Sequence, residues 1–367
     1  MVFASLDEVH GSLGAEWTTI DGRRVPAGYG DADAEYGAAR TGTGLVDLGA
    51  RGRLRVSGKD APRFLHGMLT RSVTDLADGY GIHAALTTAQ GQTLADMRLY
   101  RHGDVYTIET EPGLQEKVRQ SLDRYLIADD VTLEDTTGTV ISLGLTGAGA
   151  WTVLAGAADS LPEAWCAGLP ASGPDYLTAA GALGETACTL VAYMRHGWAR
   201  YDVQCAPDAG PAVWGALTAS GARPVGWDAM EALRLEAGIP RYGVDVDERV
   251  MPLEAGLADA VDFDKGCFVG QEALAKMRNL GKPRRHLVGL LLDTEALPEA
   301  GSTVSLDGKE AGWVTSSSRS PGLGRNVAMA SVRRGCHEPG QRLLLAAGST
   351  AHVADFPLVV PGSPNTG

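Results

Sequence analysis

After Lys282-Pro283 the chain breaks into short apolar stretches, and this pattern constrains the fold more than any other feature. Residues 286–292, 303–306, 312–317, 327–332 and 342–346 are each divided from the next by Gly, Asp or Pro. Short strands punctuated by turn residues predict a small all-β barrel or sandwich. The tail, residues 361–367, reads as disordered.

Upstream the texture is mixed. Residues 1–40 are rich in glycine and acids with weak periodicity, which predicts an irregular arm. Leu54 and Val56 then alternate with polar neighbours, a short strand, and Phe64, Leu65, Met68 and Leu69 fall at helical spacing. Strands are expected at 85–88 and 94–100, split by the turn Gln90-Gly91-Gln92, and again at 105–110, 131–133 and 140–145. Between them Leu114, Val118, Leu122, Tyr125 and Leu126 form one helical stripe. After Gly147 the grammar repeats, with helices at 150–154, 210–220 and 228–237 and strands at 189–194 and 199–203. Residues 167–184, rich in Gly, Pro and Ala, read as a loop or insertion. The fold class expected is α+β: a unit over 1–145, a second over 146–283 and a β domain over 284–367.

Composition narrows the functional classes. A chain of 367 residues has room for two or three domains. Its net charge of −13 argues against a nucleic-acid or anionic-membrane platform across the whole surface. No run approaches the roughly 18 apolar residues that a membrane span needs. Cys166, Cys188, Cys205, Cys267 and Cys336 are odd in number and form no CxxC pair, so neither a disulfide framework nor a metal site is expected. Met1 to Gly11 has two acids and no basic or apolar stretch, which predicts no signal peptide and a cytoplasmic location.

Four places carry candidate chemistry. In Lys265-Gly266-Cys267-Phe268-Val269-Gly270-Gln271-Glu272 two glycines bracket a thiol, and nearby positive charge favours its thiolate. The alternative is a tight turn into a helix over 271–277, with Cys267 a small packed hydrophobe. Next come Lys276, Arg278, Lys282, Arg284 and Arg285, five cations in ten residues, suited to a polycarboxylate tail or a phosphate or simply a solvated linker. Arg234 and Glu236 flank Leu235 and point to different helix faces, with Gly238 as C-cap. Asp96, between apolar neighbours, is a general acid/base or an amine ligand if it faces inward.

These residues together resemble a family. Val56-Ser57-Gly58-Lys59-Asp60-Ala61, then Phe64-Leu65, Leu69-Thr70 and Asp75-Leu76, look like the opening of the folate-binding YgfZ and T-protein superfamily. The octapeptide at 265–272 resembles the YgfZ signature nearly letter for letter. Residues 233–238 and 252–257 are similar to the aminomethyltransferase (glycine-cleavage T-protein) side. The resemblance implies intertwined ferredoxin-like subdomains around a central folate hole, plus a C-terminal β-barrel. It further implies tetrahydrofolate as cofactor and iron–sulfur client proteins as partners in cluster assembly or repair. Cys267 and Asp96 become the catalytic candidates, and Lys265, Gly266, Gly270, Gln271, Arg234, Glu236, Trp198, Arg195 and Arg284 the folate-binding ones. The second reading it implies is a folate-dependent methyl- or aminomethyltransferase acting on a small amine or ether. Three departures bear on that reading: the T-protein's pterin stretch survives only as Arg195-His196-Gly197-Trp198 without its glutamate, Met230 replaces an arginine, and an asparagine is replaced around Ile108-Glu109.

Overall fold

A computed structural model of the protein describes residues 5–20, 22–49, 51–161, 165, 175–195, 198–281, 283–346 and 348–360, with the side chains of Arg195 and Trp198 outside that description. The chain opens with α1 (Leu6–Ser12), the hairpin β1 (Glu16–Ile20) and β2 (Arg23–Gly28), and α2 (Ala32–Arg40). The irregular arm expected there is therefore structured. Its helices are short and capped by side chains: Ser5 Oγ accepts from Glu8 N, and Asp31 Oδ1 from Ala34 N. Such caps fix helices too brief for periodicity to reveal.

The next elements are β3 (Gly44–Gly49), β4 (Gly52–Ser57), α3 (Ala61–Met68), β5 (Tyr80–Thr87), β6 (Thr93–His102) and β7 (Val105–Thr110). They continue with α4 (Gln115–Asp123), β8 (Thr132–Asp135), β9 (Ile141–Thr146) and α5 (Ala150–Ala157). Then come β10 (Tyr176–Leu183), β11 (Thr186–Arg195), β12 (Trp198–Cys205), α6 (Gly210–Ala219), β13 (Arg223–Pro224) and α7 (Trp227–Ala237). β10 replaces the expected loop over Tyr176–Leu183, while 167–174 of that loop lie outside the described residues. Its Ala- and Gly-rich sequence carries no alternation, and pairing with β11 from Tyr176↔Tyr193 to Leu183↔Thr186 makes it a strand. The expected tail at 361–367 lies outside the described residues.

Strand order in the large sheet is β13-β3-β9-β12-β11-β10-β5-β6-β7-β4-β8. The chain packs as two units that are discontinuous in sequence. One comprises residues 1–61, 75–82 and 98–230, the other 62–74, 83–97 and 231–367, so β5 and β6 each pass from one unit to the other along their length.

In the first unit, one face of the sheet is apolar. Leu143, Leu145, Leu190, Ala192, Tyr201 and Val203 pack against Leu6 and Val9 of α1, Val153 and Leu154 of α5, and Val213, Trp214 and Leu217 of α6. Each fully buried leucine contributes roughly 1.5–3 kcal/mol, so this face supplies much of the unit's stability.

The second unit holds α8 (Gln271–Leu280) and a closed barrel of β14 (Arg285–Leu292), β15 (Thr303–Leu306), β16 (Lys309–Ser320), β17 (Arg325–Arg333), β18 (Arg342–Leu345) and β19 (Thr350–Ala354), in the order β14-β17-β16-β15-β18-β19. Pairing of Gly289–Leu292 with Ala351–Ala354 closes it and removes the exposed edges of an open sheet. Among the described residues no helix is long and apolar enough to cross a membrane.

Candidate functional site

The second face of the first unit's sheet is polar and yet buried. Alternation places Asp202 and Gln204 of β12 opposite the apolar Tyr201 and Val203, and Tyr193 of β11 opposite Ala192. Arg98 Nη1 donates to Asp202 Oδ2 at 2.9 Å, and its Nη2 donates to the Tyr193 hydroxyl at 3.1 Å. The Arg98 guanidinium lies 4.6 Å from the Tyr193 ring centroid and 5.3 Å from that of Tyr176. Tyr176 in turn packs edge-on against Tyr100, with 5.6 Å between centroids.

Glu109 of β7 is the centre of a second knot. Its carboxylate is 0% exposed and accepts from the Tyr100 hydroxyl at 2.9 Å, from Gln204 Nε2 at 2.8 Å and from Arg53 Nη2. Burial pushes this carboxyl up, but Arg53, Arg98 and Arg51 together with the Tyr100 hydrogen bond outweigh burial and hold it below its ordinary value. Burial, then the Glu109 charge, pushes Tyr100 well up, so the phenol keeps its proton and donates. On the same face the Thr178 hydroxyl and Arg200 Nε are buried without a hydrogen-bond partner among the described residues, as is Arg51 Nε. Unsatisfied buried donors and acceptors are costly and cluster where a polar ligand completes them.

Asp96 sits on β6 two residues before Arg98 and four before Tyr100, so the three share one face of that strand. His83 Nε2 lies 2.8 Å from Asp96 Oδ2, and the two side chains are 12% and 13% exposed. A carboxylate only accepts, so the imidazole hydrogen sits on Nε2. Asp96 thus faces inward, as one of its two sequence readings requires. His83 escaped sequence reasoning. Its single legible sign is its place inside the apolar strand run Ile82 to Leu86.

The octapeptide forms a docked loop ahead of α8. Cys267 is a free, exposed cysteine, which removes the alternative of a packed hydrophobe. The ammonium of Lys265 donates to three carbonyls at the end of α3 and just beyond, Leu69 O at 2.7 Å, Arg71 O at 3.0 Å and His66 O. His66 O is an orphan acceptor of the helix C-terminus, and a half-buried cation suits it and the two carbonyls that follow. Burial lowers the Lys265 ammonium to about 8. Gly270 has φ +87° and caps α8, and a Cβ there would stand 2.5 Å from both Thr87 Oγ1 and Thr88 O. Gly266 meets only His66 Nε2, at 3.5 Å, and Gln271 opens the helix half-buried.

Arg234 is saturated within the protein. Its Nη1 donates to Asp245 Oδ2 at 2.5 Å and Ile239 O at 2.7 Å, its Nη2 to Ser316 Oγ at 3.1 Å, and Nε to Glu231 at 3.1 Å. A register shift between Val314 and Ser316 lets neighbouring Thr315 and Ser316 both reach Asp245 Oδ1, at 2.5 and 2.7 Å. Regular alternation would send one of them the other way. Glu236, fully buried, accepts from Ser320 Oγ at 2.5 Å, and Gly238 (φ +72°) ends α7 as expected. Arg284 lines a cleft of the barrel. Arg195 and Trp198 end β11 and begin β12, with side chains outside the described residues.

Comparison with known proteins decides the family. The chain matches the GCVT N-terminal domain over residues 6–265 and the glycine cleavage T-protein C-terminal barrel domain over 285–359. The chain belongs to the glycine-cleavage T-protein family. It is 35% identical to an aminomethyltransferase of Rubrobacter xylanophilus over 89% of this chain and 86% of that one. It is 33% identical to an aminomethyltransferase of Saccharopolyspora erythraea over 94% of each. The crystal structure of glycine cleavage system aminomethyltransferase T from Bartonella henselae shares the fold, with a TM-score of 0.83 over 97% of both chains at 24% identity. The superfamily expected from the sequence is thereby established, at the level of the T-protein rather than of its YgfZ branch.

Proposed function

We propose that the protein is a tetrahydrofolate-dependent one-carbon transferase of T-protein type, moving an aminomethyl or methyl group from a small amine or ether. The observation that carries this reading is β6, where Asp96, Arg98 and Tyr100 share one face and each is held by a different partner. The relatives named aminomethyltransferase support it over nine-tenths of the chain.

Tetrahydrofolate supplies a nucleophilic nitrogen that accepts the one-carbon unit. The residues present fit such a group. The aromatic rings of Tyr100, Tyr176 and Tyr193 suit a heterocycle, and the buried orphan atoms of Arg51, Thr178 and Arg200 suit its polar edges. As a carboxylate, Asp96 would attract the substrate ammonium, take up the proton that the attacking nitrogen releases and relay it to the departing group, with His83 fixing its orientation. The folate contacts of Lys265, Gly266, Gly270, Gln271, Arg234, Glu236, Trp198, Arg195 and Arg284 stay part of the proposal. Lys265 and Arg234 enter it as supports, since their donors already serve protein acceptors.

Saturating tetrahydrofolate should stabilise the native state by about 2.7 kcal/mol at a hundredfold excess over Kd, read as a rise in Tm. No shift at any concentration would sink the folate reading.

A second reading, YgfZ-like support of iron–sulfur client proteins, is favoured by one observation: the exposed Cys267 within the octapeptide. Under it, Cys267→Ser leaves the folate-induced Tm shift intact and abolishes restoration of iron–sulfur enzyme activity in a deficient strain. Under the transferase reading the same variant restores nothing less than the parent does.

A further inference from the structure

We infer that the barrel carries an anion-binding cleft of its own, built for a small ligand with two or more phosphoryl or carboxylate groups. Pro283, Arg284, Arg285, Arg333 and Arg334 line a depression of about 390 Å³. The four arginines come from two neighbouring strand ends. Arg285 of β14 stands directly opposite Arg333 of β17, and Arg334 N donates to Arg284 O at 3.0 Å, extending the same ladder.

Like charges placed opposite each other across strands are destabilising. Among the described residues none of the four arginines has a carboxylate partner in an ion pair, in a chain of net charge −13. The acid close by, Glu254, is turned to the backbone: its Oε1 accepts from Arg284 N at 2.9 Å and Arg285 N at 3.3 Å.

The cleft is also held in shape. Arg285 Cζ lies 4.1 Å from the Trp313 ring centroid, and its Nη1 is buried with no hydrogen-bond partner among the described residues. His286 and His337 stack at 3.9 Å and 8°, clamping the segment that carries Arg284 and Arg285 to the one that follows Arg333 and Arg334. Fixed, planar, multiply donating cations suit bidentate recognition of oxyanions. Phosphoryl and carboxylate groups share that chemistry; Arg284 also stands among the proposed folate contacts, whereas Arg285, Arg333 and Arg334 belong to this cleft alone.

The test is calorimetric titration of the full chain with pyrophosphate and, separately, with citrate at low salt. Saturable binding of at least one is expected, weakened about tenfold or more in Arg333→Gln/Arg334→Gln. Both side chains are exposed and their repulsion is relieved, so the variant's Tm should equal or exceed the parent's. Preference for pyrophosphate assigns a phosphoryl ligand, and preference for citrate an oligocarboxylate. Absence of saturable binding by the parent, or equal affinity in the double variant, overturns the inference.

Discussion

Glu109→Gln should lower the unfolding free energy by about 3 kcal/mol at neutral pH, the low end of the cost of removing one member of a buried ion pair. The carboxylate has no exposure, and Arg53, Tyr100 and Gln204 all donate to it. The amide keeps the volume but leaves the Arg53 charge buried and unanswered. Against a total stability of about 5–15 kcal/mol, that loss is large. Its pH dependence has a definite sign. The folded carboxyl is held below its ordinary 4.5, so its contribution is full above that value and fades as pH falls through the folded pKa. Urea unfolding should therefore show the gap between parent and variant closing in acid. Replacing both partners, Arg53→Met with Glu109→Leu, should cost less than the single change, because no buried charge is then stranded. A gap under about 1 kcal/mol at neutral pH, unchanged in acid, would show that the network is not the structural keystone described.

Asp96→Asn should reduce kcat of the proposed transfer by about 10²–10⁴-fold and also raise KM, since the charge that attracts the substrate ammonium is lost with it. Asparagine still accepts from His83 Nε2, so the pair and the fold survive, while both the charge and the capacity to take up and relay a proton are lost. His83→Gln should fall between, since the carboxylate keeps its charge and loses its orienter. Formation of the folate product by single-turnover assay separates the chemical step from binding. Turnover of Asp96→Asn within about threefold of the parent would remove Asp96 from the chemistry.

The elements legible in the sequence are those whose local pattern matches their environment. β4 alternates because one side is buried, and the barrel strands stand out because turn residues separate them. Where environment overrides pattern, the reading fails. β10 looks like a loop because Ala and Gly have little strand preference. Tyr125 fits the α4 stripe by spacing, yet it lies beyond the helix and is 48% exposed.

The site divides in the same way. Asp96 was reachable from its apolar flanks. The Arg98–Asp202 and Glu109–Gln204 pairs join residues 104 and 95 positions apart, and no periodicity encodes that. Lys265 illustrates the converse. A lysine beside a glycine-bracketed thiol reads as ligand-facing, whereas its acceptors are backbone carbonyls 194 to 199 residues upstream. Local motifs name chemistry, and long-range pairing decides where that chemistry is spent.

The discontinuous make-up of the two units has a consequence for how the chain is made. Thr70 Oγ1 donates to Ala260 O, 190 positions later, and Thr87 Oγ1 to Val269 O, 182 positions later. Residues 62–74 and 83–97 thus leave the ribosome long before the partners that complete their unit. At about 5–20 residues per second they wait roughly 10 to 40 s, with α3 lacking its lysine cap. During that interval the growing chain presents an unfinished surface, and it is then that chaperones have most to protect.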